Sequence, residues 1–154
     1  MLNRVLVVCV GNICRSPMAE AMLRARLGRR PRFEVSSAGV GALVGYPADP
    51  FAVELMRERG LDIAAHRARQ VTPELVAAHD LVLVMEKGHE GAVLSIAPAA
   101  RGKVHRIGRF GDFDVPDPYR QPRSAFEEAL ALIDRGIDGY EKAFWPPPLR
   151  KVHG

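Results

Sequence analysis

Four short apolar runs punctuate the chain, and between them apolar residues recur every three or four positions. RVLVVCV (4–10), FEVSS (Phe33–Ser37), LVLVM (Leu81–Met85) and Val104–Ile107 read as strands. The first and third are continuous enough to be covered on both faces. Ser16 and Pro17 read as an N-cap and first helical residue of a helix that runs through Met18, Ala21, Met22 and Ala25 to about Leu27, with Gly28 as its stop. Asp49-Pro50 opens a second helix that ends at Gly60, and Thr72-Pro73 a short third. A helical stretch covers Gly91 to Ala97. The last helix starts near Ser124, where Phe126, Leu130, Ile133, Ile137, Tyr140 and Phe144 make one apolar face. Gly136 and Gly139 weaken it locally, and WPPPL ends it.

This strand–helix alternation predicts an α/β fold, a parallel sheet with helices on both faces. No internal repeat or linker interrupts it, so residues 1–154 are expected to form a single domain. In such sheets ligands bind at the carboxyl ends of the strands, and Cys9 stands at one such end.

Composition narrows the class. No apolar run approaches the ~20 residues of a membrane helix. The Val5–Val10 run is too short, and too soon followed by Gly11 and Asn12, for a signal peptide. A cytoplasmic protein without membrane contact is expected, and the two cysteines, Cys9 and Cys14, are no disulfide scaffold. The net charge is +4. Five arginines crowd into RARLGRRPR, between Arg24 and Arg32. They suit a nucleic-acid patch or a solvated helix end. No aromatic residue is interleaved for base stacking, which favours the helix end and no nucleic-acid partner. A basic surface also steers anionic substrates.

The chemistry concentrates in CVGNICRS. A loop from strand to helix brings the backbone N–H groups of Val10, Gly11, Asn12, Ile13, Cys14 and Ser16 toward one point at a helix N-terminus, which makes an anion site. Arg15 adds a planar fork for two phosphate oxygens. Cys9 aims a thiol at the bound anion. Thiols beside a helix N-terminus and an arginine ionise readily, and a thiolate held against phosphate is a nucleophile for phosphoryl transfer. The bland alternative for Cys9 is a small core residue. Metal ligation is disfavoured, because the cysteine spacing is not C-x-x-C and no histidine or cysteine cluster completes a site. The loop is not a Walker loop, since no Gly-Lys-Ser/Thr follows. The glycines from Gly39 to Gly41 lead into Tyr46-Pro47 rather than a helix and read as a loop.

Expelling a phenolate of pKa ~10 calls for a general acid. DVPDPYR offers Asp117, held between Pro116 and Pro118 on a stiff loop. A proline-rich turn whose aspartate caps a backbone group is the alternative. Asp112 and Asp114 are rivals without the proline bracket. Tyr119 stands ready to flank an aromatic ring.

CVGNICRSPMAEA and the DPY segment resemble the phosphate loop and acid loop of the low-molecular-weight protein tyrosine phosphatases, over nearly the whole chain. The resemblance implies a four-stranded parallel sheet in the flavodoxin- or Rossmann-like manner and no cofactor. It implies Cys9 as nucleophile, Arg15 as phosphate clamp, and Asp117 as acid and then base for water, with inorganic phosphate as product. Asn12 and Ser16 match positions that shape the loop and stabilise the thiolate, and Ser37 and His66 match supporting positions. SAGVGALVGYPADP, HRARQV, VMEKGH and VPDPYR resemble the bacterial branch that serves capsule and exopolysaccharide tyrosine kinases. A phosphotyrosine protein, such as the tyrosine-rich tail of such a kinase, is the implied partner. Arg120 follows Tyr119 where animal members carry a second tyrosine. Ala42 or Leu43 lies where some relatives have an aromatic, which implies a more open or more polar cleft.

Three alternatives share the loop. Thioredoxin-coupled arsenate reductases need a downstream cysteine pair, and none follows Cys14. Protein-arginine phosphatases have threonine where Ile13 offers hydrocarbon to a phenyl ring. A catalytically silent phosphotyrosine-binding module would have no need of nucleophile, arginine and acid together. Cys14 shares the curled loop with Cys9 and is placed to trap an oxidised Cys9 as a disulfide.

Overall fold

A computed structural model describes residues 2–147. Met1 and residues 148–154 lie outside the described residues, so the expected helix stop at WPPPL is followed only as far as Pro147. Four parallel strands, β1 (Arg4–Cys9), β2 (Glu34–Gly39), β3 (Leu81–Val84) and β4 (Val104–Arg106), form one sheet in the order β2-β1-β3-β4. Between and after them run α1 (Arg15–Leu27), α2 (Pro50–Glu58), α3 (Pro73–Ala77), α4 (Lys87–Ile96) and α5 (Arg123–Phe144).

The alternation of side chains along a strand explains the layers. Val5, Val7 and Cys9 of β1 and Leu81 and Leu83 of β3 face α1, α2 and α5. Leu6, Val8, Val82 and Val84 face α3 and α4. Val5 to Val8 have no exposed surface, and each such side chain contributes about 1.5–3 kcal/mol on burial. Helices therefore cover both faces, as the continuous apolar runs predict.

Four expectations change in detail. Ser16 does not cap α1. Cys14 holds the N-cap position, and Ser16 lies in the first turn with its hydroxyl turned inward. Pro17 loses nothing there, because the first-turn N–H groups have no intrahelical partner. β1 stops at Cys9, leaving Val10 exposed in the loop. β2 runs on through Ser36 and Ser37 to Gly39, because β1 pairs with it over its whole length. α4 begins at Lys87 rather than Gly91: the Glu86 N–H donates to His89 Nδ1 at 3.2 Å and secures a first turn that Gly88 and Gly91 would otherwise weaken. The basic cluster is the solvated helix end expected, with Arg24, Arg26, Arg29 and Arg32 exposed, and Arg26 also pairs with Asp134, Asp138 and Glu141 of α5.

Candidate active site

The phosphate-loop residues follow β1 directly. Asn12 organises them. It has no exposed surface and adopts φ 60°, a left-handed conformation that asparagine tolerates better than most residues. Its Nδ2 donates to Ser16 Oγ at 2.7 Å and to Ser37 Oγ at 3.0 Å. Its Oδ1 accepts from the Arg69 N–H at 2.9 Å. Its backbone carbonyl accepts from His66 Nε2 at 2.7 Å, so that ring nitrogen carries the proton. The two supporting residues expected from resemblance, Ser37 and His66, thus both meet Asn12.

The turn is braced from the side by the glycine segment after β2. Val40 N–H donates to Cys9 O, Gly41 N–H to Val10 O and Leu43 N–H to Gly11 O, at 3.0, 3.0 and 3.1 Å. Gly39, read from sequence as loop, is the last residue of β2, and a Cβ there would stand 2.2 Å from Val10 O. Asp49 N–H closes the far side on Ile13 O at 2.8 Å. With the carbonyls engaged, the N–H groups of residues 11–15 donate to no other group among the described residues. Backbone donors left unpaired at a helix N-terminus form an anion cradle.

Cys9 Sγ lies 2.9 Å from Ser16 Oγ. Arg15 is 2% exposed, and its fork is locked. Nη1 donates to Val115 O at 2.8 Å and pairs with Glu86 Oε2 at 3.1 Å, while Nη2 stands 3.8 Å from Asp117 Oδ2. Glu86 in turn meets His89 Nε2 at 3.0 Å. Burial, with the Arg15 charge beside it, holds His89 below the ordinary histidine range. Neutral His89 therefore accepts at Nδ1 and donates from Nε2 to the carboxylate.

Val115 N–H donates to Met85 O at 2.9 Å and so hangs the acid loop on the end of β3. Asp117 Oδ1 accepts the Tyr119 N–H at 3.0 Å, which leaves Oδ2 toward Arg15. The rivals Asp112 and Asp114 are held elsewhere, on Arg106 at 2.6 and 3.0 Å. Arg120 lies over the Tyr119 ring, 5.3 Å from its centroid, at φ 65°.

Cys9, Arg15 and Asp117 open on one pocket of about 180 Å³. Val10, Gly11, Ile13, Cys14 and Tyr119 also line it. Leu43 lines the pocket, so the position expected to make the cleft more open or more polar presents hydrocarbon instead. Both cysteines are free and buried. Burial, and next the Asp49 carboxylate, push the Cys14 thiol far above its ordinary range. Among the described residues no group of three or more His, Cys, Asp or Glu side chains is placed to hold a metal ion.

Sequence reasoning missed Glu86, His89, Arg69 and Gly39 as parts of this site. Glu86 follows β3 at the sheet's carboxyl end, and that position is the one signal that could have singled it out.

The family model described as low molecular weight phosphotyrosine protein phosphatase matches residues 4–144. The chain is 51% identical over 152 residues to the protein of Ralstonia nicotianae named "Probable low molecular weight protein-tyrosine-phosphatase EpsP", covering 99% of each chain. It is 44% identical to the low molecular weight protein-tyrosine-phosphatase Wzb of Salmonella typhimurium, covering 93% of this chain and 95% of that one. Vibrio vulnificus Wzb, solved in complex with benzylphosphonate, superposes with a TM-score of 0.88 at 45% identity, covering 94% of this chain and all of the other. The cradle, the buried arginine and the match across residues 4–144 lead to one conclusion: this chain belongs to the low molecular weight protein-tyrosine-phosphatase family.

Proposed function

We propose that the chain hydrolyses phosphotyrosine on protein through a phosphocysteine formed at Cys9. The observation that carries this is the convergence of Cys9 Sγ, the Arg15 fork and Asp117 Oδ2 on one pocket above unpaired backbone donors.

The phosphoryl oxygens sit in the cradle of residues 11–15 and on the Arg15 fork, where preformed donors stabilise charge as it develops. Ser16 Oγ, 2.9 Å from Cys9 Sγ, donates to the thiolate. The thiolate attacks phosphorus opposite the phenolic oxygen. The P–O bond breaks as the P–S bond forms, and Asp117 gives its proton to the departing phenolate. Water then attacks the phosphocysteine while Asp117 takes its proton. The P–S bond breaks, the thiolate returns, and inorganic phosphate leaves. Ile13, Leu43 and Tyr119 offer the substrate ring apolar contact.

Family resemblance supports a bacterial tyrosine kinase of capsule or exopolysaccharide synthesis as partner, through a flexible tail able to reach Cys9. A cytoplasmic location suits that partner, and no helix among the described residues is long and apolar enough to cross a membrane. Phosphotyrosine, phosphoserine and phosphoarginine peptides, assayed side by side, test the substrate class. Turnover confined to phosphotyrosine is expected. Faster release from phosphoarginine would overturn the reading.

A further inference from the structure

The outer edge of β2, bridged to Gln70 only at Gly39, carries over Val35–Ser37 a second cationic site that this chemistry does not use. β2 ends the sheet order, and two of its carbonyls are occupied by arginines. Arg24 Nη2 donates to Val35 O at 3.1 Å, and Arg69 Nε to Ser37 O at 2.9 Å. Such caps oppose addition of another strand and leave guanidinium groups along a groove of about 600 Å³ that Arg4 also lines. Arg4 pairs with Glu34, and Arg24 with Glu20. Arg69 carries no ion pair among the described residues.

Ser36 and His79 also line the groove. A carbonyl only accepts, so the 2.7 Å contact of His79 Nδ1 with Leu75 O puts the ring proton on Nδ1. Nε2 then accepts from the Ser36 hydroxyl at 2.8 Å. Lys103 Nζ stands behind the ring, donating to Val76 O and His79 O at 2.9 and 2.8 Å. Burial depresses His79 first, and the charges of Arg4, Arg69 and Lys103 lower it further, against the hydrogen bond to Leu75. The ring thus sits in a positive potential.

We infer that this groove binds a second phosphoryl group, carried on the same extended substrate segment as the phosphotyrosine in the catalytic pocket. The inference rests on the phosphatase reading above. Guanidinium forks are the side chains best matched to phosphate oxygens. β2 leads from the groove to the pocket: Ser36 lines the one, and Gly41, just past the strand, lines the other. Those five steps span about 16 Å at ~3.3 Å per residue, a gap that about five extended residues of substrate bridge. Arg69 joins both ends, with its side chain on Ser37 O and its backbone N–H on Asn12 Oδ1. Engagement of both sites makes the second contact intramolecular and raises affinity without any new contact in the pocket.

The test compares kcat/KM for a peptide bearing two phosphotyrosines about five residues apart with that for its singly phosphorylated form. The wild type is expected to favour the doubly phosphorylated peptide on the order of 10-fold, a modest gain for linked sites. The Arg4→Ala/Arg24→Ala variant should lose that preference and keep its turnover of para-nitrophenyl phosphate, which also shows that it is folded. No preference in the wild type, or an equal preference in the variant, would overturn the inference. Absence of turnover of every aryl phosphate would instead overturn the phosphatase reading. A second arm is independent of turnover. In the Cys9→Ser protein, the His79 ring resonances should shift with the doubly phosphorylated peptide and stay in place with the singly phosphorylated one; identical spectra would contradict the groove.

Discussion

Asn12 Nδ2 donates to Ser37 Oγ at 3.0 Å, and this bond joins the phosphate loop to the middle of β2. It helps to hold a residue at φ 60°, in the left-handed region. Asn12→Gly keeps the backbone conformation accessible but strands the buried partners Ser37 Oγ and Arg69 N–H, at a cost of about 1–3 kcal/mol. Asn12→Ala adds left-handed strain of about 1–2 kcal/mol. Urea midpoints should therefore rank wild type above Asn12→Gly above Asn12→Ala, with kcat/KM falling in the same order. Equal midpoints for the two variants would show that the conformation of residue 12 is not under strain.

His89 makes stability depend on pH. Burial and Arg15 hold its folded pKa below the ordinary 6.5. The unfolded chain takes up the proton near that value while the folded chain resists it, so the unfolded state binds more protons and stability falls as pH drops below about 6.5. His79, depressed chiefly by burial, adds a loss of the same sign. His89→Gln should be less stable than wild type at pH 7.5 and should lose less on acidification to pH 5.5. A wild-type urea midpoint that is flat between those values would contradict the assignment.

Cys14 shares the pocket with Cys9, and its thiol is held neutral by burial and Asp49. Peroxide is expected to oxidise Cys9 to a sulfenic acid. Attack by Cys14 sulfur then forms the disulfide and releases water. Because the attacking form is the thiolate, capture should quicken as pH rises. A dithiol should restore activity to the peroxide-treated wild type and much less to Cys14→Ser. Equal recovery would show that Cys14 never pairs.

Asp117 lines the pocket, and in the proposed mechanism it gives the proton to the leaving group. Asp117→Asn should slow phenyl phosphate by about 10²–10⁴-fold, the usual contribution of a general acid. It should slow aryl phosphates with acidic phenols far less, since these leave without a proton. A uniform loss across a series of leaving groups would assign the acid elsewhere.

The sequence made the sheet legible because its strands are buried on both faces, and α5 legible because a period of 3.6 survives Gly136 and Gly139. Those glycines look like weak points in one dimension. In the fold, a Cβ on Gly136 would stand 2.6 Å from Ile107 O, so its absence lets α5 pack against the chain just past β4. Cys9, Arg15 and Asp117 were legible because local chemistry marks them: a strand end, a loop, a proline bracket. Glu86, His89 and Arg69 were not, because each acts only through a contact with a residue more than fifty positions away, or through a neighbour that makes one. Ser16 was misread for a different reason, because its partners are near in sequence but meet it only through the curl of the loop. A serine before proline looks like a cap until Cys9 and Asn12 are brought against its hydroxyl.

The central claim is a covalent one, that phosphorus passes to sulfur at Cys9. The most direct measurement is acid quench of the wild-type enzyme during turnover of para-nitrophenyl phosphate, followed by mass mapping of the peptide that contains residues 9–15. A phosphoryl adduct on Cys9 that is absent in Cys9→Ser, together with loss of turnover in that variant, is the predicted result. Sustained turnover in Cys9→Ser, or an adduct on another residue, would contradict the account.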